Sequence, residues 1–323
     1  NSMTAEVVKT LENAYRDVRI AYAAEVARHC DREGVDFYAL RDEVNTRLSQ
    51  VDAALIAAEA ERLNAVREAA ITSEDDIPRS ADEWSQAIRR SLEQQWLCLV
   101  TFPVVDMHSR LLHGECPLRL KLDADDEWLP AGRFLPVAER LGLSAELDLA
   151  ALALGLVELE GQPALTGLAI NLSASSLGTA DFERRLQDLL GKHRKAAGRL
   201  WIEVAETGVL KHVDAFRNLC GILRSFDCRV GVEHFGRQFS QIGQLHDLGL
   251  NYIKVDASFI RRLDTNPGNQ TFLKGVSSIA HGIGLLVIAE GVVSEEEFAA
   301  LCTVGFDGAT GPGVKLANPP IDV

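Results

Sequence analysis

The chain has 323 residues, 47% of them hydrophobic, enough for one large domain with an extra element or for two ordinary domains, and too apolar for wholesale disorder. Its 47 acidic residues outnumber 33 basic ones, giving a formal net charge of −14. That argues against a protein that coats DNA or RNA through clustered Lys and Arg, although a few placed cations could still hold an anionic ligand. The six cysteines stand apart with no Cys-x-x-Cys pair, as reduced thiols in a cytoplasmic setting do. No apolar run approaches a membrane span and no signal peptide opens the chain.

Asn1-Ser2-Met3 reads as the remnant of a tag. Residues 4–31 place Val7, Leu11, Tyr15, Val18, Tyr22 and Val26 at spacings of three and four, one face of a long amphipathic helix. Gly34 breaks it, a second helix follows through "FYALRDEVNTRL", and an Ala-rich third covers "SQVDAALIAAEAERLNAVREAA". The polar stretch "TSEDDIPRS" (72–80) is a loop. Ser80 and Glu83 then have the spacing of a capping box, on a helix that turns Trp84 and Ile88 inward. The main domain starts there.

From residue 97 short apolar runs alternate with longer amphipathic stretches. The runs are 97–105, 116–120, 167–172, 200–204, 228–232, 252–256, 285–290 and 304–309. Eight near-continuous apolar strands separated by helical periodicity predict an α/β fold, a TIM-like (β/α)8 barrel. Consecutive runs end on Asn171, on Glu203, on Glu233-His234, on Lys254 and Asp256, and on Glu290. In such a barrel the strand C-termini share one mouth, where the chemistry of the fold sits. Oxygen ligands suit hard divalent cations, and a lysine can neutralise a phosphate. Any one polar residue at a strand end only marks the start of a loop; five consecutive ends favour a site.

Over residues 85 to the end the chain resembles the EAL domain of cyclic di-GMP signalling. The resemblance is carried by "LPAGRFLPVAERLGL", "INLSASSL", "IEVAET", "IKVDASFI" and "VIAEGV", in that order over more than 200 residues. It implies a (β/α)8 barrel of EAL type with ligand-binding positions at Arg119, Asn171, Glu203, Lys254, Asp256 and Glu290, and at Phe134 and Pro136 in the first of these segments. The chain also departs from the family pattern. Glu115 and Arg119 are retained in "ECPLR", but Cys116-Pro117 replace the middle of the Glu-Ala-Leu motif. Glu233-His234 stand for the paired aspartates of Asp-Asp-Phe-Gly, and Arg237-Gln238 for the following Thr-Gly. Phe102 stands for a glutamine, Val293 for a glutamate, and Thr310-Gly311-Pro312 for Gln-Gly and an aromatic residue.

A glutamate at position 233 moves a carboxylate out by about 1.5 Å. An imidazole at 234 removes an anion from a site for hard cations and suits softer metals. Arg237 adds positive charge to the same loop. Of the family's metal set only a remnant is therefore expected, at Glu115, Asn171, Glu203, Glu233 and His234. The simpler alternative is that Glu233 and His234 cap a strand end. Either way the catalytic remnants Glu115, Lys254 and Glu290 are expected to be inactive. No cofactor is required, and Mg²⁺ or Mn²⁺ matters only if phosphodiesterase activity remains. Phe102 and Phe134 offer apolar or stacking surface to a base.

"VDAALIAAEAERLNAV" resembles the last helix of a GGDEF domain, and with a degenerate EAL barrel it resembles the LapD-type inside-out receptors of cyclic di-GMP. That kinship implies a homodimer, a signalling partner protein, and a cytoplasmic part of an inner-membrane parent. Residues 4–48 resemble the central helical segment of UDP-glucose/GDP-mannose-type dehydrogenases, whose lysine and asparagine correspond to Lys9 and Asn13. With no strand followed by GxGxxG, dehydrogenase activity is not expected, and the segment reads as a fused dimerising leader. The expected divisions are 1–48, 49–79 and 80–323. Three functions follow: an inactive cyclic di-GMP receptor, a weak metal-dependent phosphodiesterase, or a nucleotide-independent interaction barrel.

Overall fold

The computed structural model describes residues 80–236 and 248–317. The expected helices before Ser80, with the dehydrogenase-like and GGDEF-like segments, lie outside the described residues, as do Arg237 and Gln238. Helix α1 (Ala81–Glu93) begins as its sequence predicts. The Ser80 hydroxyl accepts from the Glu83 amide at 3.1 Å, and the Glu83 carboxylate accepts from the Ser80 amide at 2.9 Å. A cap of this kind is worth about 1 kcal/mol. Trp84 and Ile88 are buried.

Eight strands close a barrel: β2 (Phe102–Asp106), β3 (Leu111–Glu115), β6 (Leu168–Asn171), β7 (Leu200–Ala205), β8 (Arg229–Phe235), β9 (Tyr252–Val255), β10 (Leu286–Ala289) and β11 (Gly308–Thr310). They neighbour one another in the order β10-β11-β2-β3-β6-β7-β8-β9. The barrel is mixed, because β2 runs antiparallel to both β3 and β11 while the other pairs are parallel. The expectation that each of the eight apolar runs is one barrel strand needs two corrections. The apolar run 97–105 is two strands, β1 (Leu97–Leu99) and β2, and the run 116–120 supplies β4 (Leu118–Leu120), which is not in the barrel. With β5 (Leu129–Pro130), β1 and β4 form a separate three-stranded sheet in the order β1-β4-β5. The missing barrel strand is β3, "LLHGE", whose His113 and Gly114 break the apolar pattern.

Side chains alternate across a strand, so residues two apart share a face. Val104, Ala169, Trp201, Tyr252 and Ile288 form one cluster of buried residues from five barrel strands. His113 is fully buried beside it, its ring stacked on Trp201 with centroids 4.0 Å apart. Burial, with Lys254 and Arg229 nearby, holds its pKa well below the usual histidine range, so it packs as a neutral aromatic. Gly231 is required at this level: a Cβ there would lie 2.3 Å from the Tyr252 ring. Two residues along from each member of this layer comes the mouth: Phe102, Glu115, Asn171, Glu203, Glu233, Lys254 and Glu290. The registers pair Phe102 directly with Glu115, and Asn171 with Glu203. Helices cover the outside, among them α2 (Ala131–Arg140) and α3 (Ser144–Gly161), which buries Leu147, Leu152 and Leu156.

Candidate functional site

Lys254 is the centre of the mouth. It projects from β9 with 1% of its side chain exposed, and its Nζ lies 2.9 Å from Glu203 Oε2 and 3.1 Å from Glu115 Oε2. Burial would lower its pKa, but Glu203, Glu115, Glu290 and Glu233 outweigh that and raise it, so the ammonium stays charged. Glu203 is wholly buried, and its other oxygen accepts from the Tyr252 hydroxyl at 3.1 Å. Burial raises Glu203 above the usual carboxylate range while Lys254 pulls it back.

The end of β8 is irregular. Its register against β9 shifts between Val232 and Phe235, and His234 has a left-handed φ of 54°. Such a bulge re-aims side chains at a rim, and histidine tolerates this conformation better than a β-branched residue would. The result is a two-point bond: the His234 amide donates to Glu290 Oε1 at 3.2 Å, and ring Nδ1 lies 2.8 Å from Glu290 Oε2. Asp256 Oδ2 lies 3.7 Å from the same nitrogen. The hydrogen bond to Glu290 raises the His234 pKa to about 9 against the cost of burial, aided by the charges of Glu290, Glu233 and Asp256. The ring is then an imidazolium at neutral pH. Glu233, half-buried, accepts from Asn171 Nδ2 at 3.0 Å, and burial raises its pKa. Asp256 accepts from the Ser258 amide at 2.9 Å, capping the short helix Ala257–Ile260.

A cavity of about 730 Å³ opens over these groups. Glu115, Glu233, His234, Asp256 and Glu290 line it together with Phe102, Pro103, Pro117 and Pro312. Of the predicted residues, eight are paired in three neighbouring groups: Lys254 with Glu203 and Glu115, Asn171 with Glu233, and His234 with Glu290 and Asp256. Three others stand apart. Arg119 lies on β4 in the separate sheet, its Nη1 donating to the Leu118 carbonyl at 3.2 Å. Phe134 is fully buried in α2, so its ring belongs to the packing and has no face for a ligand, and Pro136 is inside the same helix. None of the three lines the cavity.

Tyr252 and Ser258 were not predicted here. Tyr252 reads as part of an apolar strand and Ser258 as a helix start, so neither carries a signal of its own. Among the described residues, His234, Asp256 and Glu290 can bring ligand atoms within 4.8 Å of one another, the one group with that property. The set of one imidazole and two carboxylates is softer than the all-oxygen shell that Mg²⁺ prefers.

The EAL domain family matches residues 85–315, and the central domain of the UDP-glucose/GDP-mannose dehydrogenase family matches residues 3–57. The Mycobacterium tuberculosis (strain ATCC 25618 / H37Rv) protein named Uncharacterized protein Rv1354c is 32% identical over 213 residues, 64% of this chain and 34% of that protein. Cyclic di-GMP phosphodiesterase PdeF of Escherichia coli K12 is 29% identical over 238 residues, 73% of this chain and 32% of its own length. The chain thus spans about a third of the curated relatives it matches. Among solved structures, the FimX EAL domain of Pseudomonas aeruginosa bound to c-di-GMP superposes with a TM-score of 0.65 at 25% identity, covering 71% of this chain and 93% of that one. Vibrio cholerae LapD S helix-GGDEF-EAL bound to c-di-GMP gives 0.68 at 21% identity, covering 74% and 58%.

Proposed function

The chain belongs to the EAL domain family, and from that premise we propose that it is a receptor for cyclic di-GMP that holds the dinucleotide at the barrel mouth without hydrolysing it. One observation carries this reading: the carboxylates of the mouth already have donors from the protein. Lys254 serves Glu203 and Glu115, Asn171 serves Glu233, His234 serves Glu290 twice, and the Ser258 amide serves Asp256. Two-metal hydrolysis needs those oxygens free, with geometry close to octahedral at about 2.0–2.1 Å for Mg²⁺. The residues present do not fit that requirement: Glu233 is a methylene too long and His234 is fixed on Glu290. In this reading the protein's own cations neutralise the carboxylates, the role that dications play in a metal-dependent site.

His234 is the cation best placed to meet a phosphate. Its side chain is 50% exposed and lines the cavity, and a charged donor makes short, strong bonds to phosphate oxygens. Lys254 is buried and committed to two carboxylates, so its part is to keep the acid cluster neutral enough for an anion to approach. Signalling then follows from a change in dimer geometry or in partner binding, in a cytoplasmic setting, as in the LapD-type reading. The direct test is incubation of the protein with cyclic di-GMP and Mg²⁺ or Mn²⁺, followed by chromatography. The nucleotide should be recovered intact; accumulation of linear dinucleotide in proportion to enzyme would overturn the receptor reading. Retention of Glu115, Glu203 and Lys254, with the His234–Asp256–Glu290 group, favours the second reading, a weak phosphodiesterase. Mn²⁺-dependent cleavage lost on Glu115→Gln would establish it.

A further inference from the structure

We propose that the face of the barrel opposite the mouth docks on an anionic lipid surface, through a cluster of cations around the starts of β7 and β8. The proposal is independent of the receptor reading. Topology brings its residues together. Helices Ala180–Lys192 and Val213–Ser225 each lead from the mouth end of one barrel strand back to the start of the next. Their last turns set down Lys192 and Arg224 there. The short helix Arg194–Ala197 adds Arg194 and Lys195, and Arg229 opens β8. All five side chains are exposed.

Contacts between elements make these cations one patch. The Arg194 guanidinium lies over the Phe226 ring at 4.9 Å, and that of Arg229 over the Trp201 ring at 4.6 Å. Trp201 and Arg229 are register partners on β7 and β8. A side chain on Gly249 would strike the Arg224 guanidinium, so Arg224 lies against the segment that leads into β9. Stacking on a ring holds a guanidinium in place without neutralising it. Elsewhere on the surface Arg110, Arg184, Arg217 and Lys315 are held by Asp106, Asp181, Asp214 and Glu295; among the described residues the five cations of this face have no such partner. The acids that border the patch are Asp227 and, on the last turn of α3, Glu158 and Glu160, the last facing His193 at 3.0 Å. Cations in a last helical turn also answer the helix dipole, but that leaves their charge intact. Anionic headgroups attract Lys and Arg over about a Debye length, about 10 Å at 0.1 M salt, and acids farther away on the chain are screened. A nucleic acid fits this face less well, because guanidinia cover the Phe226 and Trp201 rings that bases would need as a stacking platform. Docked in this way, the protein turns its mouth, at the other ends of the strands, toward the aqueous side.

The test is co-sedimentation of the whole chain with vesicles of phosphatidylcholine alone or mixed with an equal part of phosphatidylglycerol. The native protein should sediment with the mixed vesicles only, and about 1 M salt, where the Debye length is about 3 Å, should release it. Lys192→Ala/Lys195→Ala should weaken binding about 10- to 30-fold, the product of two losses of about fivefold each. Both lysines are exposed, so this variant should melt as the native protein does. Lys211→Ala/Lys274→Ala makes the same change in net charge at exposed lysines elsewhere and should bind like the native protein. Equal sedimentation with both vesicle types, sedimentation with neither, native-like binding by Lys192→Ala/Lys195→Ala, or an equal loss in the Lys211→Ala/Lys274→Ala control overturns the inference. A duplex oligonucleotide that binds more tightly than the mixed vesicles, with the same dependence on Lys192 and Lys195, also overturns it and makes this a nucleic-acid surface. All of these outcomes leave the receptor reading, which concerns the mouth, intact.

Discussion

Lys254 sits with 1% of its side chain exposed between Glu203 and Glu115, at 2.9 and 3.1 Å. Removing one partner of a buried pair leaves an uncompensated charge and costs about 3–5 kcal/mol. Lys254→Met should therefore lower the unfolding free energy by about that amount in urea. The double variant Lys254→Met/Glu203→Gln should recover part of the loss, since the second change removes the stranded charge. Equal destabilisation of the single and double variants would show that Glu203 does not depend on Lys254. His234 gives a pH signature. Its folded pKa is raised from 6.5 to about 9, first by the bond to Glu290. Between those values the folded state holds a proton that the unfolded state has lost, so the contribution is complete below pH 6.5 and is lost as pH rises through about 9. The half-exposed ring is screened by solvent, which keeps the effect on stability small. Nuclear magnetic resonance of the ring protons is the sensitive readout: Glu290→Gln should move the midpoint down toward 6.5, and an unchanged midpoint would break the assignment.

Strands and helices explain which parts of this arrangement the sequence announces. The runs that become β6 to β10 are apolar and lead into a polar residue, so both the strand and the mouth position of Asn171, Glu203, Lys254 and Glu290 can be read directly. β3 escapes such a reading because His113, a polar letter, is packed in the structure as an aromatic ring against Trp201. β2 escapes for another reason: direction is not written in an apolar pattern, and only the pairing with β3 and β11 shows that Phe102 faces the mouth. Arg119 is placed by resemblance alone, and the split of residues 97–120 between two sheets puts it on β4, outside the residues that line the cavity. The bulge at Glu233-His234 is likewise visible only in register, although the odd pairing of an acid and an imidazole before a glycine marks the spot. A loop clamp also joins α3 to the segment after β6. Asp148 accepts from the Ser173 amide at 2.9 Å and from the Ser176 hydroxyl at 2.6 Å. Asp148→Ala should leave these donors unsatisfied at about 1–3 kcal/mol each, whereas Asp148→Asn, which keeps one acceptor, should cost less. Indistinguishable urea midpoints for the two variants would count against the clamp.

The whole chain carries a formal net charge of −14, and its mouth is rich in acids, yet the proposed ligand is an anion. Long-range repulsion should slow the encounter at low ionic strength, and salt should relieve it over about 10 Å at 0.1 M. Association rates in stopped-flow should therefore rise severalfold as salt is added. A steep fall with salt would mean that an unrecognised basic surface steers the ligand. Eight apolar runs and five polar strand ends predict a barrel with a polar mouth, and the motif resemblance names the family; the pairing of the mouth charges with one another is a property of the folded chain alone. That pairing is the centre of the account, because it predicts binding that needs no metal. The decisive measurement is isothermal titration of cyclic di-GMP into the protein in EDTA, with the nucleotide recovered afterwards for chromatography. Saturable binding with the nucleotide intact, unchanged in affinity when Mg²⁺ replaces EDTA, is the predicted result. Absence of heat together with an unshifted melting temperature, or binding that appears only with Mg²⁺, would contradict it.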